Sequence, residues 1–208
     1  MVVPLADTPA NSRNRLLAAT IDLVRANGYA ATRVDDVCAA AGVTKGSFFH
    51  HFASKDELAV AAAGFWNQRA AQVFAQAPYA LHRDPLDRLL GYVKFRRQII
   101  AGETWEYSCF AGTTIQETHE THPEIRDACA ASIRAHVEML RTMIEHALAE
   151  YPVAKLRAVT LATHMQAVIQ GAFVMAKAGQ DKQIALDSID HLHRYITLLF
   201  APLPARKR

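Results

Sequence analysis

The chain has 208 residues, 51% of them hydrophobic and 21% charged, with nine glycines and eight prolines, a balance that suits one or two packed domains and excludes a disordered or collagen-like polymer. Arg206, Lys207 and Arg208 supply the whole of the formal net charge of +3, so bulk charge marks no nucleic-acid partner and any such surface must be built locally. Cys38, Cys109 and Cys129 form an odd, widely spaced set that writes neither a disulfide framework nor a paired-cysteine metal knuckle.

From the N-terminus, MVVPLADTPANSR lacks the basic start and long apolar stretch of a signal peptide. No apolar run approaches the ~20 residues of a bilayer span, so the expected location is the cytoplasm, with no membrane partner. SRNRLLAATIDLVRANGY then places Leu16, Leu17, Ile21, Leu23 and Val24 near a 3.6-residue period and stops at Gly28, which predicts a first helix with a glycine end signal. Thr32 followed by Asp35 reads as the start of a short second helix, with Val34, Val37, Cys38 and Ala41 along one face and Gly42 at its end. Thr44 caps a third helix whose inner face carries Phe48 and Phe52. Ser54 with Glu57 opens a fourth.

Short helices joined through Gly42 make a helix-turn-helix pattern. With Phe48 and Phe52 inward, Lys45, Ser47, Phe49 and His50 fall on outer or flanking faces where a DNA groove would receive them, and Gly46 lets a backbone approach closely. Residues 1–58 hold six basic and six acidic side chains, so helix N-termini must share the work of meeting phosphate.

Further along, helices are predicted at 55–77, 86–101, 105–119, 123–149, 154–178 and 185–200, separated by Pro78, Pro85, Gly102, Pro123, Pro152 and Gly179. With no strand alternation, the fold class is all-α. LATHMQAVIQGAFVMAKAG and SIDHLHRYITLLF are apolar over more than one stripe, which predicts burial against their own domain and against a second copy, a homodimer through 154–200, with a large monomeric core as the alternative. Phe65, Trp66, Phe95, Trp105, Tyr107, Phe110 and Met139 either line a cavity for an apolar or aromatic small molecule or fill the core with no void. His164, Gln166 and Tyr107 would orient such a ligand; His164 reads equally as a satisfied core histidine.

The run ETHETHPE sets His119 and His122 at i, i+3 beside Glu117 and Glu120. The zinc-protease spacing is i, i+4, and Pro123 follows at once, so a polar helix end is predicted, with no metal and no cofactor. Cys109, in WEYSCFAG with Glu103 and Glu106 nearby, lacks the electropositive setting of a reactive thiol. Cys38 and Cys129 read as packing.

The run GYAATRVDDVCAAAGVTKGSFFHHFASKDEL resembles the N-terminal region of TetR-type (tetracycline-repressor-like) transcriptional regulators. The matching residues are Gly28-Tyr29, Thr32, Val37, Ala41-Gly42-Val43, Thr44 to Ser47, His51-Phe52, and Ser54-Lys55 before an acidic pair and Leu58. The resemblance implies a three-helix DNA-binding domain at 1–58 and a helical effector-binding and dimerisation domain at 59–208. It implies a homodimeric regulator on palindromic double-stranded operator DNA, a repressor released by a small-molecule effector. An activator of the same fold is the alternative, and a helical metal-dependent enzyme is the competing class; an enzyme is not expected.

Carried onto this chain, the resemblance gives Thr32 and Arg33 a phosphate role. It sets Thr44, Lys45, Gly46, Ser47 and Phe49 against bases or nearby phosphates, and His50, His51 and Lys55 against the DNA backbone. The family often has tyrosine at position 49 and an aromatic at 50. Phe49 keeps an apolar face suited to a thymine methyl, and His50 offers a donor to phosphate. Some relatives place a cysteine near the effector site where Cys109 stands. The candidate effector residues are therefore Trp66, Trp105, Tyr107, Cys109, Phe110 and His164.

Overall fold

The computed structural model describes residues 11–201; residues 1–10 and 202–208, with the basic end Arg206–Arg208, lie outside the described residues. Among the described residues the regular structure is all helical. The order is α1 (Ser12–Asn27), α2 (Val34–Ala41), α3 (Lys45–His51), α4 (Lys55–Ala75), a short 3₁₀ turn at Pro78–Leu81, α5 (Pro85–Gln98), α6 (Thr104–Tyr107), α7 (Phe110–Thr118), α8 (Pro123–Glu150), α9 (Ala158–Gly179) and α10 (Lys182–Leu199).

The chain divides into two compact units, Met1–Gln76 with Ala101–His136, and Ala77–Ile100 with Val137–Arg208. These units are divisions by compactness. The division at residue 58 into DNA-binding and effector-binding parts concerns function and stands as a proposal.

The first unit is built on the apolar stripe of α1. Leu16, Leu17, Ile21 and Val24 pack with Val37, Cys38 and Ala41 of α2, Phe48 and Phe52, and Leu58, Ala59, Ala62 and Ala63 of α4, and Phe110, Ala111, Ile125 and Cys129 join the same core. The helix ends follow the expected signals at Gly42, which ends α2 in the left-handed region at φ 60°, and at three further places. Gly28 ends α1 at φ 89°, Thr44 caps α3 by accepting from the Ser47 N–H, and Ser54 caps α4 by accepting from the Glu57 N–H.

The start of α2 is one residue later than the Thr32–Asp35 pair predicts. Arg33 is the cap and its N–H meets the Asp36 carboxylate at 3.3 Å. The Thr32 hydroxyl donates instead to the Gly28 carbonyl at 2.7 Å, closing the α1–α2 loop, so it is not free to cap α2.

The single helix expected over 105–119 is two. Ser108 and Cys109 take extended backbone, the Ser108 hydroxyl donates to the Trp105 carbonyl, and Cys109 Sγ accepts from the Gly112 N–H as the cap of α7. These local bonds satisfy backbone and side-chain groups at the break.

In the second unit α10 packs on both α9 and α5. Tyr79 and Tyr92 meet edge to face at 5.6 Å, and Arg97 of α5 pairs with Asp190 of α10 at 2.7 Å. The expectation of no membrane-length apolar run is qualified by α9, which by length and average composition is long and apolar enough to cross a bilayer. Thr163, His164, Gln166, Gln170 and Lys177 interrupt it, so it qualifies by length and average composition and not as an unbroken apolar run. In this structure α9 lies against α10 and buries Leu161, Met165, Ile169, Phe173 and Ala176.

Candidate nucleic-acid interface

Helix α3 has two distinct faces. Phe48 is fully buried and Phe52 almost so, their rings 6.0 Å apart, whereas the next residue, Phe49, is 55% exposed. Phe49 leans edge-on against Phe48 at 5.1 Å and leaves the rest of its ring to solvent. Thr44, Lys45, Gly46 and His50 are exposed beside it, and Ser47 and His51 are half-buried. A Cβ on Gly46 would meet nothing nearer than the Thr44 hydroxyl at 3.8 Å. The protein's own packing therefore does not require glycine there, and the surface above it is open.

Lys45 pairs with Asp35 of α2 at 2.9 Å, with both side chains more than half exposed. Its ammonium, by hydrogen bond and charge, holds the Asp35 carboxyl below the ordinary carboxylate range. Solvent screens so exposed a pair, so Lys45 can turn toward a phosphate or base at small cost. The His50 and His51 rings lie 4.9 Å apart, and His51 Nε2 shares a 2.6 Å hydrogen bond with the Ser12 hydroxyl. Arg33 is exposed at the start of α2.

Two of the sequence-picked residues are turned inward. Thr32 is buried. Lys55 donates to the carbonyls of Tyr29 at 3.1 Å and Thr32 at 3.2 Å and lies 4.1 Å from the centre of the Tyr29 ring. Both tie down the α1–α2 loop.

The aromatic residues chosen as effector contacts are gathered around a cation of the protein itself. The Arg25 guanidinium lies 5.2 Å from the Trp66 ring and 5.9 Å from the Trp105 ring. It donates to the Ser108 carbonyl at 2.9 Å and also to the Glu106 carbonyl. Burial lowers its pKa and pushes up that of its neighbour Asp22. Phe110 is buried 6.4 Å from Trp66, Tyr107 is buried, and Cys109 is half-buried at the cap of α7. Burial pushes the Cys129 thiol up to about 12, which keeps it a neutral packing group.

His164 belongs to the other unit, exposed on α9 with its ring 5.4 Å from Tyr195. That unit also carries a groove of about 390 Å³ lined by Arg83, Asp84, Arg88, His146 and Glu150; it is polar, and none of the candidate effector residues lines it.

Sequence reading missed Arg25 and Glu117. Arg25 enters the sequence reading only in the count of basic residues, and Glu117 as part of a polar histidine-rich helix end. The carboxylate of Glu117 instead accepts the N–H groups of Tyr29 at 3.0 Å and Ala30 at 2.9 Å. His122 stacks edge-on to Tyr29 at 5.4 Å. Among the described residues, no group of three or more histidine, cysteine or acidic side chains is placed to hold a metal ion.

Residues 16–62 match the bacterial regulatory proteins, tetR family. Residues 85–191, half of the chain, match the C-terminal domain of LmrA/YxaF-like transcriptional regulators. The chain belongs to the TetR family. An uncharacterized HTH-type transcriptional regulator of Mycobacterium tuberculosis, Rv0196, is 25% identical over 198 residues, covering 94% of this chain and 98% of that one. A TetR-family regulator from Agrobacterium tumefaciens has a TM-score of 0.80 at 21% identity over 91% of this chain and 98% of its own. A second, from Chloroflexus aurantiacus, has a TM-score of 0.78 at 28% identity over 89% and 94%. The protein is thus a TetR-type transcriptional regulator, with an N-terminal helix-turn-helix DNA-binding domain and a helical C-terminal domain.

Proposed function

We propose that this TetR-type regulator is a homodimeric repressor that reads a palindromic operator with α3 and leaves it when an apolar or aromatic small molecule binds. The observation that carries this reading is the outer face of α3. Lys45, Gly46, Phe49 and His50 are exposed side by side while Phe48 and Phe52 anchor the same helix, an arrangement suited to insertion in a major groove. Thr44, Ser47, His51 and Arg33 flank it. Thr32 and Lys55 then serve DNA binding by fixing the loop before α2, and Lys55 retains a third N–H for a phosphate.

Dimerisation is assigned to 154–200 because the exposed stripe of α9, through Ala167, Gly171, Val174, Met175 and Ala178, carries no charge. Helix α9 holds a single lysine, Lys177, in 22 residues. A C2 pairing of α9 and α10 from two copies makes a four-helix bundle that covers that stripe. His164 lies on the same helix side as this stripe and fits the dimer seam better than a ligand pocket. The effector, by this proposal, meets the Trp66, Trp105, Tyr107, Cys109 and Phe110 group. No catalytic role, metal or cofactor is part of the proposal, and its DNA target places the protein in the cytoplasm.

Selection of bound duplexes from a random pool tests the DNA reading directly. The wild type is expected to enrich a two-fold symmetric site. The Lys45→Ala variant is expected to bind with relaxed sequence preference at an unchanged melting temperature, and Lys55→Ala to lower affinity on all sequences with a salt slope smaller by about one. Enrichment of no sequence by the wild type overturns the proposal.

A further inference from the structure

Two polar grips join the end of α1 to the 101–118 segment within the first unit. At the first, Arg25 reaches from the last turn of α1 to the carbonyls of Glu106 and Ser108, at the break between α6 and α7. At the second, four residues further on, Glu117 of α7 reaches back and accepts the N–H groups of Tyr29 and Ala30. Both grips involve an ionised side chain on main-chain groups, the stronger kind of hydrogen bond, and Arg25 is nearly fully buried.

The second grip bears on the α1–α2 loop. Tyr29 and Ala30 open the loop that Lys55 and Thr32 close, since Lys55 donates to the carbonyls of Tyr29 and Thr32. That loop leads directly into the helix-turn-helix. Gly28 adapts the backbone to this contact: its φ of +89° disfavours a side chain, and a Cβ there would stand 2.5 Å from Glu117 Oε1. The sequence thus keeps a position clear for the carboxylate.

The geometry points to Arg25 and Glu117 as the positioning residues through which the 101–118 segment sets the orientation of α2 and α3. The inference rests on the reading of α3 as the DNA-contacting helix. Neither residue need touch DNA. Any movement of the α6–α7 corner must carry the end of α1 with it or break the bonds of Arg25, and any movement of the end of α7 must carry the α1–α2 loop with it or break those of Glu117.

The opposite charges of the two residues make the inference testable. Arg25→Ala removes a positive charge and Glu117→Ala a negative one, so a purely electrostatic contribution to DNA binding would shift affinity in opposite directions. Loss of positioning shifts both the same way. Each variant is expected to lose about tenfold or more in affinity for the selected operator while changing by less than about threefold on an unrelated duplex, because operator binding needs fixed recognition helices and non-specific binding needs only charge. Glu117→Gln, which keeps one carbonyl acceptor, is expected to fall between Glu117→Ala and the wild type.

Amide hydrogen exchange on the free full-length protein gives a readout independent of DNA. In Glu117→Ala, exchange at Tyr29 and Ala30 is expected to accelerate by about tenfold or more, with α2 and α3 as protected as in the wild type. Equal loss of protection across α2 and α3 assigns Glu117 to holding the fold and overturns the inference, as do opposite shifts in operator affinity or unchanged operator affinity in both variants. If the wild type selects no operator, the DNA reading fails, and unchanged exchange at Tyr29 and Ala30 in Glu117→Ala then overturns the grip separately.

Discussion

The Met175→Arg and Leu198→Arg variants are expected to sediment as folded monomers and to lose operator affinity by about a hundredfold or more, the scale lost when two linked sites become one. Met175 is 58% and Leu198 74% exposed in the protomer, so a charge at either is tolerated while the protomer stands alone. In a dimer built from α9 and α10, the same charge would be buried against an apolar partner without a counter-charge, at a cost of several kcal/mol. Met165 and Ile169 on the same helix are fully buried; substitutions there report on the fold of the protomer and serve as the contrast. Equilibrium sedimentation across a concentration range checks the outcome. A stable dimer in both variants places the interface elsewhere.

Much of this was legible because it is local. The period of Leu16, Leu17, Ile21 and Val24 locates α1, and the caps at Thr44 and Ser54 locate the starts of α3 and α4, since each signal is complete within a few residues. The break at Ser108–Cys109 has no proline or glycine at it to mark it, and it depends on side chains turning to nearby main-chain groups. Spacing alone predicts Thr32 as a cap; in the folded chain its hydroxyl goes to Gly28.

The grips of Arg25 and Glu117 join residues 81 to 88 positions apart, and no pattern in a single sequence encodes which distant backbone a charged side chain will meet. The same limit explains the effector candidates. Aromatic residues near 105–110 were visible, but not the arginine, eighty residues earlier, that lies between Trp66 and Trp105. An effector using those indole faces must therefore bind beside Arg25 or displace it.

Adjacent phenylalanines are expected to fail in different assays. Phe48 has no exposed surface and sits between α1, α2 and Phe52, so Phe48→Ala should cost about 3–5 kcal/mol in a urea titration, the range for emptying a buried aromatic site. Against a typical domain stability of about 5–15 kcal/mol, that removes a large share of the stability, and any loss of DNA binding should follow the loss of folded protein. Phe49 is 55% exposed and touches Phe48 only edge to face, so Phe49→Ala should cost about 1 kcal/mol or less. Its effect should appear on DNA. If the ring meets a thymine methyl as proposed, its removal is expected to lower discrimination at one base pair in each half-site by about 1–3 kcal/mol while non-specific binding stays. Phe49→Leu, which keeps apolar bulk, should preserve much of that preference. Urea titrations of the three variants beside operator binding with single base-pair changes provide the check. If Phe49→Ala destabilises the protein as much as Phe48→Ala, the ring is a packing group and the base-contact assignment for Phe49 fails.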